Sequence, residues 1–490
     1  MKKTALLLIV LCLVLSCFSG CSGKTQNAAN DDPVAVSTDP PQEDAPEEAD
    51  KEAEKEAAED TPKAPEKEKI VLKLGGVGCT ESKIKMVINE FNKTDSDYTI
   101  SLMDYGFGTT PDQGKLKLQT QIMAGNAPDM LLFDKFVCFS SGDMSNALSP
   151  LAYIGGGALL DLDEYIKNDP ELNPDDFIIW DALHEFGGMY VIGPTFWADG
   201  LCCLPETAEQ YEGWSFEDYL ALQDSLTQEQ DLIYGIDPQF FLRRVTSGYL
   251  SELIDIENAT CSFDQPEFIS MLETACHVNT YNTQEKHLQA DNSFKSAPEM
   301  LVNGELLFYH ASLYSLFDVS FDRYRAGVRQ WNGEGENPYD GKLKKLNAPL
   351  GYMGYPTPDG SNGALIDFPY TVGICAGTEQ ADGCWEFIRY MLQNQFYHDT
   401  YDGTPVLYEE LDDCLAYLNA ERPPWESTQA DLDQLVTFAE KCDKMAYLDL
   451  DVLSIVEEEA AEMLAGKKSA DDAAKMIQNR ASVLVMERYG

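Results

Sequence analysis

The chain lacks the motifs of reactive chemistry and carries the residues of recognition chemistry. No Gly-x-Ser-x-Gly elbow and no His-Glu-x-x-His pair occurs, so the serine hydrolases and zinc hydrolases that use them are unsupported. The five histidines are scattered, and a catalytic metal is not expected. Gly76-x-Gly78 lacks the third glycine of a dinucleotide fingerprint. DLDEYIKNDPEL, 161–172, has neither the alternation nor the glycine of a calcium loop. With 84 acidic residues some carboxylate pair always stands at a hydrolase's spacing, so a glycosidase pair cannot be read from the chain. What it offers is flat rings beside carboxylates, hydroxyls and glycines. Trp197 stands by Asp199 in TFWADG, Asp134 ends PDMLLFD, Tyr105 and Phe107 follow YTISLMD, and Gly76, Gly78 and Thr80 follow KIVLKL. Rings stack on apolar C–H faces, and the polar groups bond hydroxyls.

The elements that would position these residues are strands and helices in alternation. KIVLKLGG, Lys69 to Gly76, reads as a first strand. Ile84, Val87, Ile88 and Phe91 then recur at helical spacing. Tyr98 to Tyr105 reads as a second strand, Gln119 to Ala124 as the end of a helix closed by Gly125, and MLLF as a short buried strand. Such an order implies a parallel sheet with helices on its faces. Ligands of such sheets bind at the carboxyl ends of the strands, which points to the loops after Leu74, Met103 and Phe133.

Acidic residues outnumber basic ones by 84 to 35, for a formal net charge of −49. That argues against nucleic acid as a partner and against charge-driven adsorption to anionic lipid. At 44% hydrophobic and 11% aromatic the chain can build real cores, and the roughly 420 residues beyond the acidic segment suit two lobes. Of 13 cysteines, Cys12 and Cys17 precede Cys21, and Cys79, Cys138, Cys202, Cys203, Cys261, Cys276, Cys375, Cys384, Cys414 and Cys442 are scattered with no Cys-x-x-Cys. Several sit in apolar runs and read as small buried hydrophobes.

Residues 1–20 read as an export signal. Lys2 and Lys3 precede an apolar run from Ala5 to Leu15 that is too short to cross a hydrocarbon layer of roughly 30 Å. FSGC, Phe18 to Cys21, resembles a bacterial lipobox, with Phe18 where Leu is usual and Cys17 as a competing site. The resemblance implies that Cys21 carries lipid and that the protein is held at the extracytoplasmic face of the cell membrane. Residues 21–68, rich in Ala, Pro, Glu, Asp and Lys, read as a disordered tether.

Seven segments resemble, in order, the carbohydrate-type extracellular solute-binding proteins of ABC importers: KLQTQIMAGNAPDMLLFD (117–134), GALLDLDEYI (157–166), GGMYVIGPTFWADG (187–200), EGWSFEDYLAL (212–222), MLVNGELLFY (300–309), YTVGICAGTEQADGCWEFIRYML (370–392) and AAEMLAGKKSADDAAKMIQNR (460–480). The resemblance implies a two-lobe, periplasmic-binding-protein-like α/β fold, each lobe a β-sheet flanked by helices, with a ligand cleft at the hinge. Residues 69–197 with 370–410 form one expected lobe, and 198–369 with 411–490 the other. It implies capture of a small polar solute, a sugar or oligosaccharide, by lobe closure. A membrane-embedded ABC permease is the implied partner. No enzyme activity and no cofactor are implied, and a monomer is expected. The expected ligand contacts are Trp197 and Asp199 at the first crossing, Tyr314 in HASLYSLFD, Asp134, Tyr105, Phe107, Tyr370 at the return crossing, Gly76 and Thr80. Tyr447 and Asp449 near a third crossing are further candidates. Trp180, Trp214, Trp331 and Trp385 are assigned to packing, and the polar stretch 331–345 to a surface loop. A lipid-anchored glycoside hydrolase and a sensory or adhesive binding lipoprotein are the alternatives.

Overall fold

In IVLKLGG, Leu72 and Leu74 are fully buried while Ile70, Val71 and Lys73 lie at the surface, which is the period of a strand at a sheet face. A computed structural model describes this and the rest of residues 69–135, 147–227, 230–278, 293–294, 296–325, 330–331, 350–394, 403–421 and 426–490. All belong to the unit Glu66–Gly490. Cys21, the tether and Cys138 lie outside the described residues, as does the 331–345 stretch beyond Trp331.

The first strand is β1 (Ile70–Gly76), followed by helix α1 (Ile84–Phe91), β2 (Tyr98–Asp104), α2 (Pro111–Met123) and β3 (Met130–Asp134). The spacing reading of α1 holds: Ile84, Val87, Ile88 and Phe91 are its buried residues. Phe91 meets Phe387 edge-on at 5.2 Å. Thr110 starts α2 as a capping box with Gln113. Gly125, at φ +74°, follows the C-cap, a left-handed position where glycine carries no Cβ penalty. β1 is parallel to both β2 and β3, so the carboxyl ends Gly76, Asp104 and Asp134 share one edge of the sheet.

After the short helix α3 (Asp163–Asn168) the chain passes from this sheet to a second. Ile192 still bridges to Val372 of the first sheet. Gly193 makes the passage: a Cβ there would stand 2.3 Å from the Tyr370 carbonyl oxygen, so only glycine allows the close approach. β4 (Thr195–Cys203) follows, buried at every position. The second sheet then adds β5 (Asp231–Tyr234), β6 (Leu306–Leu313), β7 (Gly351–Met353) and β8 (Leu365–Asp367). β6 lies antiparallel on one side of β4 and parallel to β5, while β7 and β8 pair with the other side of β4. Its flanking helices are α4 (Phe216–Ser225), α5 (Pro238–Ser247) and α6 (Ala297–Val302). Ser215 and Asp218 form a capping box at the start of α4.

The chain then returns. β9 (Tyr370–Ile374) joins the first sheet beside β3, giving the order β9-β3-β1-β2. It runs antiparallel, Tyr370 opposite Asp134, so the sheet is mixed at its returning edge and parallel elsewhere. α7 (Ala381–Gln393) covers this sheet, β10 (Thr404–Pro405) pairs with the start of β4, and α8 (Leu450–Leu464) and α9 (Ala470–Tyr489) pack on each other near the end of the chain. The fold is thus α/β with two main sheets, each carrying its own helices, and two small two-stranded ribbons among the described residues. The nine described cysteines are unpaired thiols, seven of them buried. Among the described residues no helix is long and apolar enough to cross a membrane.

Candidate functional site

The two sheets meet where β3 ends. β8 pairs with β4 in a register that sets Asp367 opposite Trp197. The residue after β3 is Lys135, whose backbone N–H donates to the Pro369 carbonyl at 3.1 Å. Its Nζ donates to Asp367 Oδ1 at 2.6 Å and to the Ala446 carbonyl at 3.0 Å. Both side chains of this ion pair are about 5% exposed. One buried ion pair therefore ties the carboxyl end of a first-sheet strand to the second sheet and to the segment 444–447, which runs beside β8 through the Ile366–Met445 bridge.

On the second sheet, β4 and β6 place polar side chains on one face. In a strand, residues two apart share a face, so Trp197 and Asp199 of β4 go together, as do His310, Ser312 and Tyr314 along and just beyond β6. The antiparallel register sets Asp199 opposite Ser312 and, carried one pair on past Ala198 and Leu313, sets Trp197 opposite Tyr314. The two rings meet edge-to-face, centroids 5.1 Å apart at 86°. Trp197 is 5% exposed and Tyr314 40%: the tryptophan is the floor and the tyrosine the open edge.

Behind the rings lies a buried ionic network. Arg244 of α5 holds Asp199, Nη2 to Oδ2, at 2.9 Å, and Ser312 Oγ donates to the same oxygen at 2.9 Å. Phe240, one helical turn before Arg244, lies under its guanidinium at 4.8 Å, and the Tyr447 ring lies at 5.0 Å. Burial works against the charge of Arg244, but Asp199, with Tyr447 and Tyr355, raises its pKa nonetheless. Its Nε and Nη1, and Asp199 Oδ1, make no hydrogen bond among the described residues. Ser312 Oγ also lies 2.9 Å from His310 Nε2, and His310 Nδ1 lies 2.7 Å from the Tyr355 hydroxyl. Burial, opposed by Asp199, pushes the His310 pKa down to about 4, so the ring is neutral at pH 7. With Ser312 donating to Asp199, we assign the proton to Nε2, which donates to Ser312, while Nδ1 accepts from Tyr355.

The residues expected at the site fall into two groups. Asp134 and Tyr370 face each other across β3 and β9, one residue from Lys135, and are buried at 5% and 6%. They lie beside the Lys135–Pro369 contact, while Trp197, Asp199 and Tyr314 lie together on one face of the second sheet. Gly76, Gly78 and Thr80 gather instead around Asp104. Its Oδ1 accepts from the Gly78 and Gly106 N–H groups at 2.9 and 2.8 Å, and its Oδ2 from the Thr80 N–H at 3.0 Å and the Thr80 hydroxyl. That carboxylate uses the Gly78 and Thr80 donors that the sequence assigned to ligand. Tyr105 is 3% exposed, its hydroxyl donating to Gln121 Oε1 at 3.0 Å, so its ring belongs to the core between sheet and helix. Phe107 is 76% exposed beyond it. Tyr447 is buried at φ +59° in the seam. Asp449 is buried too, where it caps α8 and takes Arg488 on both oxygens at 3.0 Å.

Sequence reasoning missed Lys135, Arg244, His310, Ser312, Tyr355 and Asp367. His310-x-Ser312-x-Tyr314, polar at period two between buried Ala311 and Leu313, carried a usable signal. Arg244, one of two successive arginines in α5, carried none. Trp214 and Trp385 pack as expected, their Nε1 groups donating to the Gly354 carbonyl at 3.1 Å and to Asp169 Oδ2 at 2.7 Å.

No family model and no curated protein matches the chain. Among solved structures, it is similar to the sugar-binding protein MalE from Xanthomonas citri, at 12% identity and TM-score 0.49 over 85% of this chain and 98% of that one. It is similar to an extracellular solute-binding protein family 1 member from Alicyclobacillus acidocaldarius, at 14% identity and TM-score 0.46 over 85% and 99%. It is also similar to a putative oligosaccharide periplasmic-binding protein from Synechococcus, at 15% identity and TM-score 0.46 over 86% and 100%.

Proposed function

We propose that this protein is an extracytoplasmic solute-binding protein that captures a small polar solute, a sugar or oligosaccharide, between two lobes and delivers it to an ABC permease. The observation that carries the reading is the Trp197–Tyr314 pair at the seam: a half-exposed ring on a buried one, backed by the Asp199–Arg244–Ser312 network. A pyranose lays its C–H face on such a ring and turns its hydroxyls to neighbouring charged groups. The proposed lobes are residues 69–197 with 370–410 and 198–369 with 411–490, except that Thr195–Trp197 already belong to β4 of the second sheet and Thr404–Pro405 pair with it. The chain passes between the sheets near Gly193 and again between Asp367 and Tyr370, and short crossings of this kind are hinges. A solute that touches both sides favours the closed state by its differential contact.

The occurrence of the seven resembling segments in order supports the reading. Binding without turnover is supported by the state of two carboxylates of the seam, those tied to Arg244 and Lys135. Asp199 and Asp367 are both buried, and each is held by a cation, whereas a glycosidase needs one carboxyl free to give a proton. Cys21 is the proposed lipid anchor and the monomer the proposed functional form. Cys21→Ala should release the mature protein from the membrane fraction.

A thermal-shift screen against sugars, oligosaccharides, amino acids and polyamines tests the function. A solute that binds only the folded state adds about 2.7 kcal/mol at a hundredfold excess over Kd. A sugar that raises the midpoint and is recovered intact is the expected result. A sugar that is consumed would replace this reading with the hydrolase, and silence to every sugar would remove carbohydrate as the ligand class.

A further inference from the structure

A hollow of about 580 Å³ opens on the first sheet's helical side, between α3 and α7, on elements that contribute nothing to the seam. Tyr165 and Trp385 line it, their ring centroids 5.8 Å apart and their planes inclined at 35°. Asp169, its side chain 2% exposed, fixes the wall. One of its oxygens takes both the Trp385 Nε1–H, at 2.7 Å, and Arg389 Nη1, at 3.3 Å. Asp169 thus sets the indole and neutralises Arg389, the one cation among the described residues that line the hollow.

Three further carboxylates stand around the rings: Glu164, Asp382 and Glu386. Glu164 is 79% exposed and has only a 3.8 Å contact with Lys167 as partner. Asp382 lies close enough to Tyr165 to reinforce the effect of burial in raising the pKa of its phenol. The hollow thus combines the partly exposed Tyr165 ring, backed by the buried Trp385, with a surplus of negative charge. A phosphate or a sugar acid would be repelled, since Arg389 is already committed to Asp169. A neutral sugar would leave the carboxylates without counter-charge. A protonated or quaternary amine meets both features at once, its charge over the rings and its substituents toward the carboxylates. The volume lies in the range of small-molecule sites.

We propose that this hollow is a second binding site, independent of the seam, for a small organic cation: a polyamine or a quaternary ammonium compound.

Calorimetric titration of the full protein with spermidine, and separately with choline, at about physiological ionic strength tests the site. Saturable binding of one equivalent is expected. E164Q/D382N/E386Q, all outside the core, should weaken it at least tenfold and leave the far-UV circular dichroism unchanged. Y165A should weaken choline more than spermidine, because choline has no N–H to give a carboxylate. Y314A should bind both amines as the parent does. Three results would overturn the proposal: undiminished binding in the triple variant, loss of amine binding in Y314A alone, or equal displacement of choline by magnesium chloride and sodium chloride at matched ionic strength with no effect of Y165A, which would mean a diffuse acidic surface.

Discussion

Trp197 and Tyr314 stand opposite each other on neighbouring strands, edge to face at 5.1 Å, and share their exposure unequally, 5% against 40%. Truncating each should therefore have a different signature. Y314A removes an open ring, so it should weaken the solute found by screening about tenfold, or ~1.4 kcal/mol, with little change in unfolding midpoint. W197A empties a buried volume, so it should cost about 3–5 kcal/mol of stability as well as affinity. Titration calorimetry together with urea unfolding separates the two. If Y314A binds the solute as tightly as the parent, the ring lies outside the site.

Asp199 and Arg244 form the charged floor of the seam, each under 8% exposed. Removing one partner strands the other's charge in the interior, at about 3–5 kcal/mol, whereas replacing both by apolar groups of similar volume approaches neutrality. D199N and R244M should each destabilise by that order, and the double variant by clearly less than the sum. Chemical unfolding of the cycle reads the coupling directly. Additive losses would mean that the two groups act separately.

Lys135 and Asp367 link the sheets in the same way. Because the pair is buried, its contribution should be nearly insensitive to salt, unlike that of the exposed Lys441–Glu212 pair. K135M should lower the unfolding free energy by a similar amount in 0.05 and 0.5 M sodium chloride. An effect that vanishes at high salt would place Lys135 in water.

The parts of the molecule legible in the sequence were those governed by local rules. The spacing of Ile84, Val87, Ile88 and Phe91 and Gly125 after its helix depend on near neighbours, and the structure has them as read. The site depends on register between distant segments. Nothing within TFWADG tells that Asp367 will lie opposite Trp197, or that Lys135 will reach both Asp367 and Ala446. Thr80 shows the same limit from the other side. Its hydroxyl suits a ligand until Asp104, 24 residues on, is seen to take it.

Glu185 gives the last prediction. The residue is partly buried with Oε1 out of water, and Oε2 accepts from the Met445 N–H at 2.8 Å beside β8, with Lys444, Glu252 and Ser251 as neighbours. Burial raises its pKa from 4.5 to about 8, so it is largely protonated at pH 7. A group whose folded pKa is raised adds stability that is complete below the unfolded pKa and is lost as pH rises through the folded one. For Glu185 that window runs from 4.5 to about 8, at about 1.4 kcal/mol per pH unit. His310 has the opposite sign: its pKa falls from 6.5 to about 4, so its contribution is complete above 6.5 and is lost as pH falls. The two slopes cancel between pH 4.5 and 6.5, and from 6.5 to about 8 only that of Glu185 remains of the two. E185Q keeps an acceptor for Met445 and removes the proton. It should flatten the decline in stability above pH 6.5 and uncover a rise with pH between about 4 and 6.5. Urea midpoints for parent and variant across this range test it, and equal slopes between pH 6.5 and 8 would show that Glu185 is ionised in the folded protein.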